Sequence, residues 1–429
     1  MIARGHVQRT SHPTAPASFP PPPRRPSGGT FSAFRSRDFT ALWLNTFSFF
    51  LTQGTQRFTF VWLILNLDDR STAAGLVSFA LGIPVFFFAL PSGILADRVD
   101  RRLLLVVSQV FAIGVSAATA FLIWSDAITP LSTFILAAGI GLTMALGQPV
   151  RQAILPSIVP RERLMNAVVL TSLGQNVSTL IGPAIGGAVI ALSGIGGAFA
   201  MQGIVYGVGL VALVFLHVPP VRQQLTRTNP LRDLREGFAF VVGHRGVLVL
   251  LLLLVATGIF MMGPSQALIP KIAREELGKG AFETSLLFTA LGTGMLSTSL
   301  LLATLGDIPY KGGGFLGALI VGGIVFAGIG LSQTYILTLA FMFAWGLGGG
   351  FFINLNQTLV QTHTPADIMG RVMSIHTLAF FGVGPMGSLL AGWMADSIGA
   401  PEWVAISGFT ISAIAVFTLF TQPSLRRMR

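Results

Sequence analysis

The chain is predicted to be an all-α polytopic membrane protein with twelve transmembrane helices in two six-helix, pseudo-symmetric bundles. Three observations predict this. Apolar stretches of about twenty residues, the length that crosses a hydrocarbon core of about 30 Å, recur through the 429 residues with short loops between them. Only one charged residue, Arg57, sits well inside any of these stretches. The composition is 52% hydrophobic and 10% charged, where a soluble chain would carry about 25% charged residues. Backbone groups in lipid must bond within their own helix, so the spans are read as helices and not strands.

The expected spans are 41–65, 73–95, 103–124, 130–150, 167–191, 196–216, 247–269, 283–304, 313–331, 335–355, 371–393 and 402–420. The first is the most polar, interrupted by Asn45, Gln53, Gln56 and Arg57. The others carry Gly and Pro at the density membrane helices tolerate. Ahead of them, residues 1–37 read as a disordered cytoplasmic tail, Pro- and Arg-rich, without the apolar core of a signal peptide. Residues 38–216 form the first bundle, 217–246 a central cytoplasmic loop, 247–421 the second bundle, and 422–429 a short basic tail. Within the central loop, LRDLREGFAFVVGHRG has the pattern of an amphipathic helix lying along the membrane surface.

Orientation follows from Lys and Arg. With the N-terminus inside, the cytoplasmic segments hold 22 of the 27 basic residues. The outer loops keep only Arg70, Lys271, Arg274 and Lys279. Cytoplasmic loops carry this excess in membrane proteins. Both termini are therefore expected in the cytoplasm, with the chain a multi-pass membrane protein. The net charge of +11 follows this topology and does not form a nucleic-acid-binding face.

The two halves look related. Gln152 to Pro160 follows span 4, and Gln357 to Pro365 follows span 10. Each pair of Gln and Pro is eight apart and is followed two residues on by an acid, Glu162 or Asp367. Each then leads to a Gly-Pro pair in the next span, Gly182-Pro183 and Gly384-Pro385. Two six-helix repeats around a central cavity is a transporter architecture.

Three motifs carry a family resemblance. The loop between spans 2 and 3 reads Gly93-Ile-Leu-Ala-Asp97-Arg98-Val-Asp100-Arg101-Arg102. It resembles the signature loop of the major facilitator superfamily, with Asp100 where the general pattern has Gly. The plain alternative is a basic loop that sets topology. In the second half the corresponding loop, Gly306 to Lys311, is degenerate. Span 5 contains Ser178, Gly182, Pro183, Gly186 and Gly187. These resemble that superfamily's antiporter motif, with Ser178 replacing its first Gly; ordinary small-residue packing is the alternative. The stretch from Pro149 to Ala167, with Thr55-Gln56-Arg57 in span 1, is similar to the enterobactin-exporter-like, drug-efflux branch. The superfamily's usual span-4 motif, with a basic residue inside the membrane, is missing from the expected span, and Arg151 is placed at the cytoplasmic edge instead.

The resemblance implies alternating access, with Asp97 capping the next helix or pairing across the bundles as the conformational switch. It also implies export of a lipophilic or amphipathic small molecule, drug or siderophore-like, by proton-coupled antiport, and a monomer. An importer or facilitator on the same fold, or a non-transporting receptor or scaffold, are the alternatives.

The candidate substrate or coupling cavity is drawn from polar residues inside spans: Gln53, Arg57, Gln175, Asn176, Gln266, Asn354, Asn356 and His376. Arg57 leads, because a charge near the membrane centre is costly and normally faces a cavity or a partner. A structural Arg satisfied by carbonyls and Gln56 is the alternative. Met261, Met262, Phe380 and Phe381 would add adaptable apolar wall. No intramembrane Asp or Glu is present to carry a proton, so proton coupling rests on the resemblance alone.

Enzyme chemistry finds no support. There is no phosphate-cradling Gly-Lys-Ser/Thr loop, no Ser/His/Asp constellation and no paired carboxylates. The chain has no cysteine, and its six His have no metal-ligating spacing. No cofactor and no metal are expected.

Overall fold

Long helices account for nearly all of the chain. The computed structural model describes residues 31–218, 230–305, 310–426 and 428. The helices are α1 (Arg37–Leu67), α2 (Ser71–Arg98), α3 (Arg101–Trp124), α4 (Pro130–Ile158), α5 (Arg161–Val214), α6 (Pro230–Gly243), α7 (Arg245–Thr257), α8 (Gly263–Glu275), α9 (Ala281–Leu305), α10 (Lys311–Leu331), α11 (Tyr335–Thr362), α12 (Met369–Phe381), α13 (Gly384–Ile398), α14 (Ala400–Thr421) and α15 (Pro423–Arg426). Among the described residues, ten helical stretches are long and apolar enough to cross a membrane.

Two departures from that tally have local causes. Helix α5 runs for 54 residues, about 81 Å if straight, far more than one crossing needs. Gly194 interrupts it with φ 75° and ψ 177°, a conformation nearly closed to residues with a Cβ. The chain therefore turns there, between the expected spans 167–191 and 196–216. Helix α1 has 31 residues, but its polar run keeps it out of the apolar set.

Proline shapes the breaks in the second half. Gly258–Met262 widens into a π turn between α7 and α8, where the Gly263 N–H reaches the Gly258 carbonyl. Pro264 follows directly; its ring lacks an N–H and crowds the carbonyl four residues back. Helices α12 and α13 part at Gly382 and Val383, just before Pro385. The expected span 371–393 is therefore two helices meeting at a break.

Pairing within the halves repeats. Helix α2 packs on α4, and α9 on α11. Helix α3 packs on the second arm of α5, and α10 on α14. Between the halves, α2 meets α13 and the first arm of α5 meets α9. Each half has its own core, with Phe60, Ile64, Val77, Ile140 and Phe199 in one and Leu250, Leu268, Phe315, Phe326 and Leu359 in the other.

Residues 31–36, expected in the tail, are packed against the first bundle. Ser32–Arg35 form a 3-10 turn, and the Ala33 N–H donates to Asn166 Oδ1 at 3.0 Å. The buried Ala33 and the edge-on contact of Phe34 with Trp43 explain why this piece leaves solvent. The amphipathic segment of the central loop is helical as α6 and packs on α12, where Arg371 pairs with Glu236 at 2.8 Å.

Candidate functional site

Helix α1 carries two polar faces with different fates. Asn45 and Gln56 turn into the first bundle and are fully buried. Gln53 and Arg57, four residues apart on another face, are only partly buried. Neither forms a side-chain hydrogen bond or ion pair with a described residue. Among the described residues, Arg57 is therefore a cation of α1 with its guanidinium donors uncommitted.

The expectation that Arg57 is the lone charge inside a span meets a second case. Helix α4 continues to Ile158, so Arg151 stands inside it and is 4% exposed. Its Nε donates to Asn45 Oδ1 at 2.9 Å, and a terminal nitrogen donates to Gln109 Oε1 at 3.0 Å. The Phe49 ring lies 3.9 Å beneath the guanidinium. The chain of contacts runs on: Asn45 donates to the Gly209 carbonyl at 2.9 Å, and Gln109 to the Tyr206 carbonyl at 2.9 Å. The Tyr206 hydroxyl donates to Gln56 Oε1 at 2.9 Å. Neutral amides and an aromatic face hold this buried cation, and no carboxylate touches it among the described residues. Polar positions at Asn45, Gln56 and Gln109 were the available sequence signal, but none of them shows which helices meet.

In the second half a cavity of about 250 Å³ lies between α7, α11 and α12. Leu254, Ile353, Met373 and Phe380 give it apolar walls, and Asn356, Gln357, His376 and Thr377 its polar ones. Two of the expected cavity residues meet here: His376 Nε2 lies 2.9 Å from Asn356 Oδ1. Asn356 also donates to the Leu250 carbonyl at 3.2 Å. Asn354 faces elsewhere, donating to Gly350 O at 2.8 Å and Ser299 Oγ at 3.4 Å. The side chains of Gln175, Asn176 and Gln266 make no hydrogen bond with a described residue. The side chain of Phe381 lies outside the described residues.

The signature loop is described in part. The side chains of Asp97 and Arg98, like that stretch back to Gly93, lie outside the described residues. Asp100 Oδ1 accepts from the Leu103 N–H at 2.9 Å and caps α3. Arg101 donates to the Ala153 carbonyl at 2.9 Å, tying α3 to α4. Arg102 donates to the Leu213 and Val214 carbonyls at 3.1 and 3.0 Å, where α5 ends. A cation at carbonyls that lack helical partners is stabilising there. The degenerate counterpart around Asp307 lies outside the described residues.

The antiporter-like motif packs α5 against α1 inside the first half, and Gly187 alone of its residues is shown against the second half. Thr55 Oγ1 donates to the Gly182 carbonyl at 3.0 Å. Ser178 is fully buried, with its hydroxyl 3.4 Å from the Phe47 carbonyl, and a Cβ on Gly186 would crowd Thr55. A Cβ on Gly187 would fall 2.5 Å from Ser285 Cβ and 2.7 Å from the Ala281 carbonyl, so α5 and α9 touch backbone to backbone.

A second contact between the halves closes the end that holds the α1–α2 loop. Asp396, on α13, accepts from the N–H groups of Ser71 and Thr72 at 2.6 and 3.0 Å and from the Thr72 hydroxyl. These are orphan donors of the first turn of α2. The neighbouring Arg70 is donor-only; it pairs with Asp68 at 2.7 Å and holds that carboxyl below the usual carboxylate range. Lys271 and Arg274, at the end of α8, reach the Asp69 and Leu65 carbonyls. A Cβ on Gly392 would fall 2.5 Å from the Ser71 carbonyl and 3.1 Å from Gly75 Cα.

The sequence profile of the transmembrane secretion effectors (MFS_3) matches residues 28–428. A staphyloferrin A transporter of Staphylococcus aureus is 26% identical over 387 residues, covering 89% of this chain and 96% of that one. The enterobactin exporter EntS of Shigella boydii is 25% identical over 374 residues, covering 85% and 87%. Among solved structures, the nucleoside transporter NupG superposes with a TM-score of 0.69 at 16% identity over 90% of this chain and 99% of that one. A POT family transporter in complex with 5-aminolevulinic acid gives 0.71 at 14% identity, covering 91% and 97%. A bacterial homolog of the human lysosomal transporter Spinster, inward-facing and occupied, gives 0.67 at 14% identity, covering 91% and 96%.

Proposed function

This chain belongs to the transmembrane secretion effector family of the major facilitator superfamily, a family of multi-pass membrane transporters and not of enzymes, and we propose that it exports an amphipathic, siderophore-like small molecule in exchange for protons. Counting α1 and both arms of α5, twelve helices cross the bilayer, six in each half. Both termini face the cytoplasm, and the protein works as a monomer. The residues that bind cargo line the space between the halves, with Arg57 and Gln53 on one side and the His376 cavity on the other.

The observation that carries this is the uncommitted Arg57. An unpaired cation within a span is too costly to be kept for packing alone, and both named relatives handle siderophores. Alternating access is supported by the seam: the Asp396 cap and the interlock of Gly75 with Gly392 bind the halves at one end by contacts that can separate as units. With the expected orientation that end lies outside, so this conformation is closed to the exterior, one of the two states that alternating access requires.

The test is efflux from cells expressing wild type or Arg57→Ala, loaded with enterobactin, staphyloferrin A and a panel of lipophilic dyes, with and without an uncoupler. Lower accumulation in wild type, abolished by the uncoupler and by the substitution, is expected. Higher accumulation in wild type means import. Equal accumulation for every compound removes the siderophore and drug assignments.

A further inference from the structure

Among the described residues, three histidines place a ring nitrogen 2.9 Å from an oxygen, and one differs from the others. His244 and His363 each place Nδ1 2.9 Å from the carbonyl four residues back, which uses that nitrogen as an N–H donor. His376 does the opposite: its contact is through Nε2, to Asn356 Oδ1. The orientation of Asn356 is set independently. Its Nδ2 faces the Leu250 carbonyl, which can only accept, so the amide NH2 must point there and Oδ1 must point to His376. An oxygen that can only accept then requires the proton on Nε2. In neutral His376 the basic lone pair therefore lies on Nδ1. That atom has no partner among the described residues, and the ring lines the cavity between α7, α11 and α12.

We infer that His376 Nδ1 is the atom that takes up and releases the exchanged proton, and that cargo competes for the same lone pair. This rests on the proton-exchange reading above. The neutral ring accepts one hydrogen bond from an O–H or N–H of an otherwise apolar cargo group, seated against Leu254, Ile353, Met373 and Phe380. When a proton from the outer side binds Nδ1, the ring becomes a cation with donors on both nitrogens and the cargo contact is lost. Release of that proton to the cytoplasm restores the acceptor. One lone pair holds a proton or a cargo donor but not both, which is the requirement of antiport.

Among the described residues no other ionisable side chain lines the cavity. The ionisable groups on the elements packed against α12 are Arg232, Asp233, Arg235 and Glu236 on α6, Arg245 on α7, Asp97 and Arg98 on α2, and Asp396 on α13, with His363 just past the end of α11. On α12 itself Arg371 is paired with Glu236.

The experiment uses the full chain in nanodiscs with ¹⁵N-labelled histidine, the signals assigned by His376→Gln. The expected spectrum has His376 as the Nε2–H tautomer when neutral, gaining a proton on Nδ1 as the pH falls. Asn356→Leu should release the tautomer to a mixture, and it keeps the test open if His376→Gln does not fold. A His376 that stays neutral throughout, or is Nδ1–H when neutral, overturns the inference. In proteoliposomes, wild-type enterobactin counterflow should weaken as the pH is lowered on both sides, and His376→Gln should lose both that pH dependence and accumulation driven by a pH gradient. Gradient-driven accumulation equal to wild type also overturns it. Absence of counterflow in wild type would count against the transport of that probe, and the NMR titration alone would then decide the role of His376.

Discussion

Replacing Asp396 by Ala should open the end of the molecule that holds the α1–α2 loop. The carboxylate caps the first turn of α2 from the opposite half, through the Ser71 and Thr72 N–H groups and the Thr72 hydroxyl. Loss of a capping side chain costs about 1 kcal/mol, and loss of a negative charge at a helix N-terminus about 0.5 kcal/mol at an exposed site. Asp396 is exposed, so the lower parts of both ranges apply. The sum of about 1.5 kcal/mol shifts the closed-to-open ratio at this end roughly tenfold. Asp396→Asn keeps the capping oxygen and loses only the charge, so its shift should be about two- to threefold. The chain has no cysteine, so nitroxide labels can be placed at will. Ser125→Cys and Gln333→Cys put labels at this end on α3–α4 and α10–α11, one in each half. Pulsed electron spin resonance should show a longer-distance population that grows from wild type to Asn to Ala. Identical distance distributions in all three would refute the idea that this cap holds the halves together.

Other outcomes follow from the same contacts. Asn45→Ala removes the Nε partner of the buried Arg151 and should destabilise the first bundle by about 2 kcal/mol, as lost hydrogen bonds to buried charges do; thermal melting in detergent reads this, and an unchanged midpoint would contradict it. Gly187→Val drives side-chain carbons into Ser285 and the Ala281 carbonyl and should cost about 1–3 kcal/mol of overpacking while slowing counterflow; wild-type rates would show that α5 and α9 are not held at this approach. Arg57→Gln should leave the melting midpoint within about 0.5 kcal/mol of wild type, since no described partner is lost, yet abolish export; a large loss of stability would make Arg57 a structural residue instead.

The recurring apolar stretches of span length and the basic loops between them determined the all-helical membrane fold without any tertiary information. Bilayer thickness sets the length of a span, and the span length is printed in the sequence. Gly194 falls between two expected spans for the same reason. The resemblance of the signature loop was likewise local, because its residues are contiguous. What needed the tertiary structure was every role that depends on two helices meeting. Arg151 looked like an edge residue because hydropathy marks where apolar character stops, whereas the helix continues for another seven residues into a buried amide cage. Nothing local in the sequence marks Asp396, yet it caps a helix 325 positions away in the chain. His376 was one polar candidate among eight until Asn356 and the Leu250 carbonyl settled which of its nitrogens carries the proton. Local chemistry and solvent dictate which segments become helices, but packing alone decides which side chains find a partner and which are left facing a cavity.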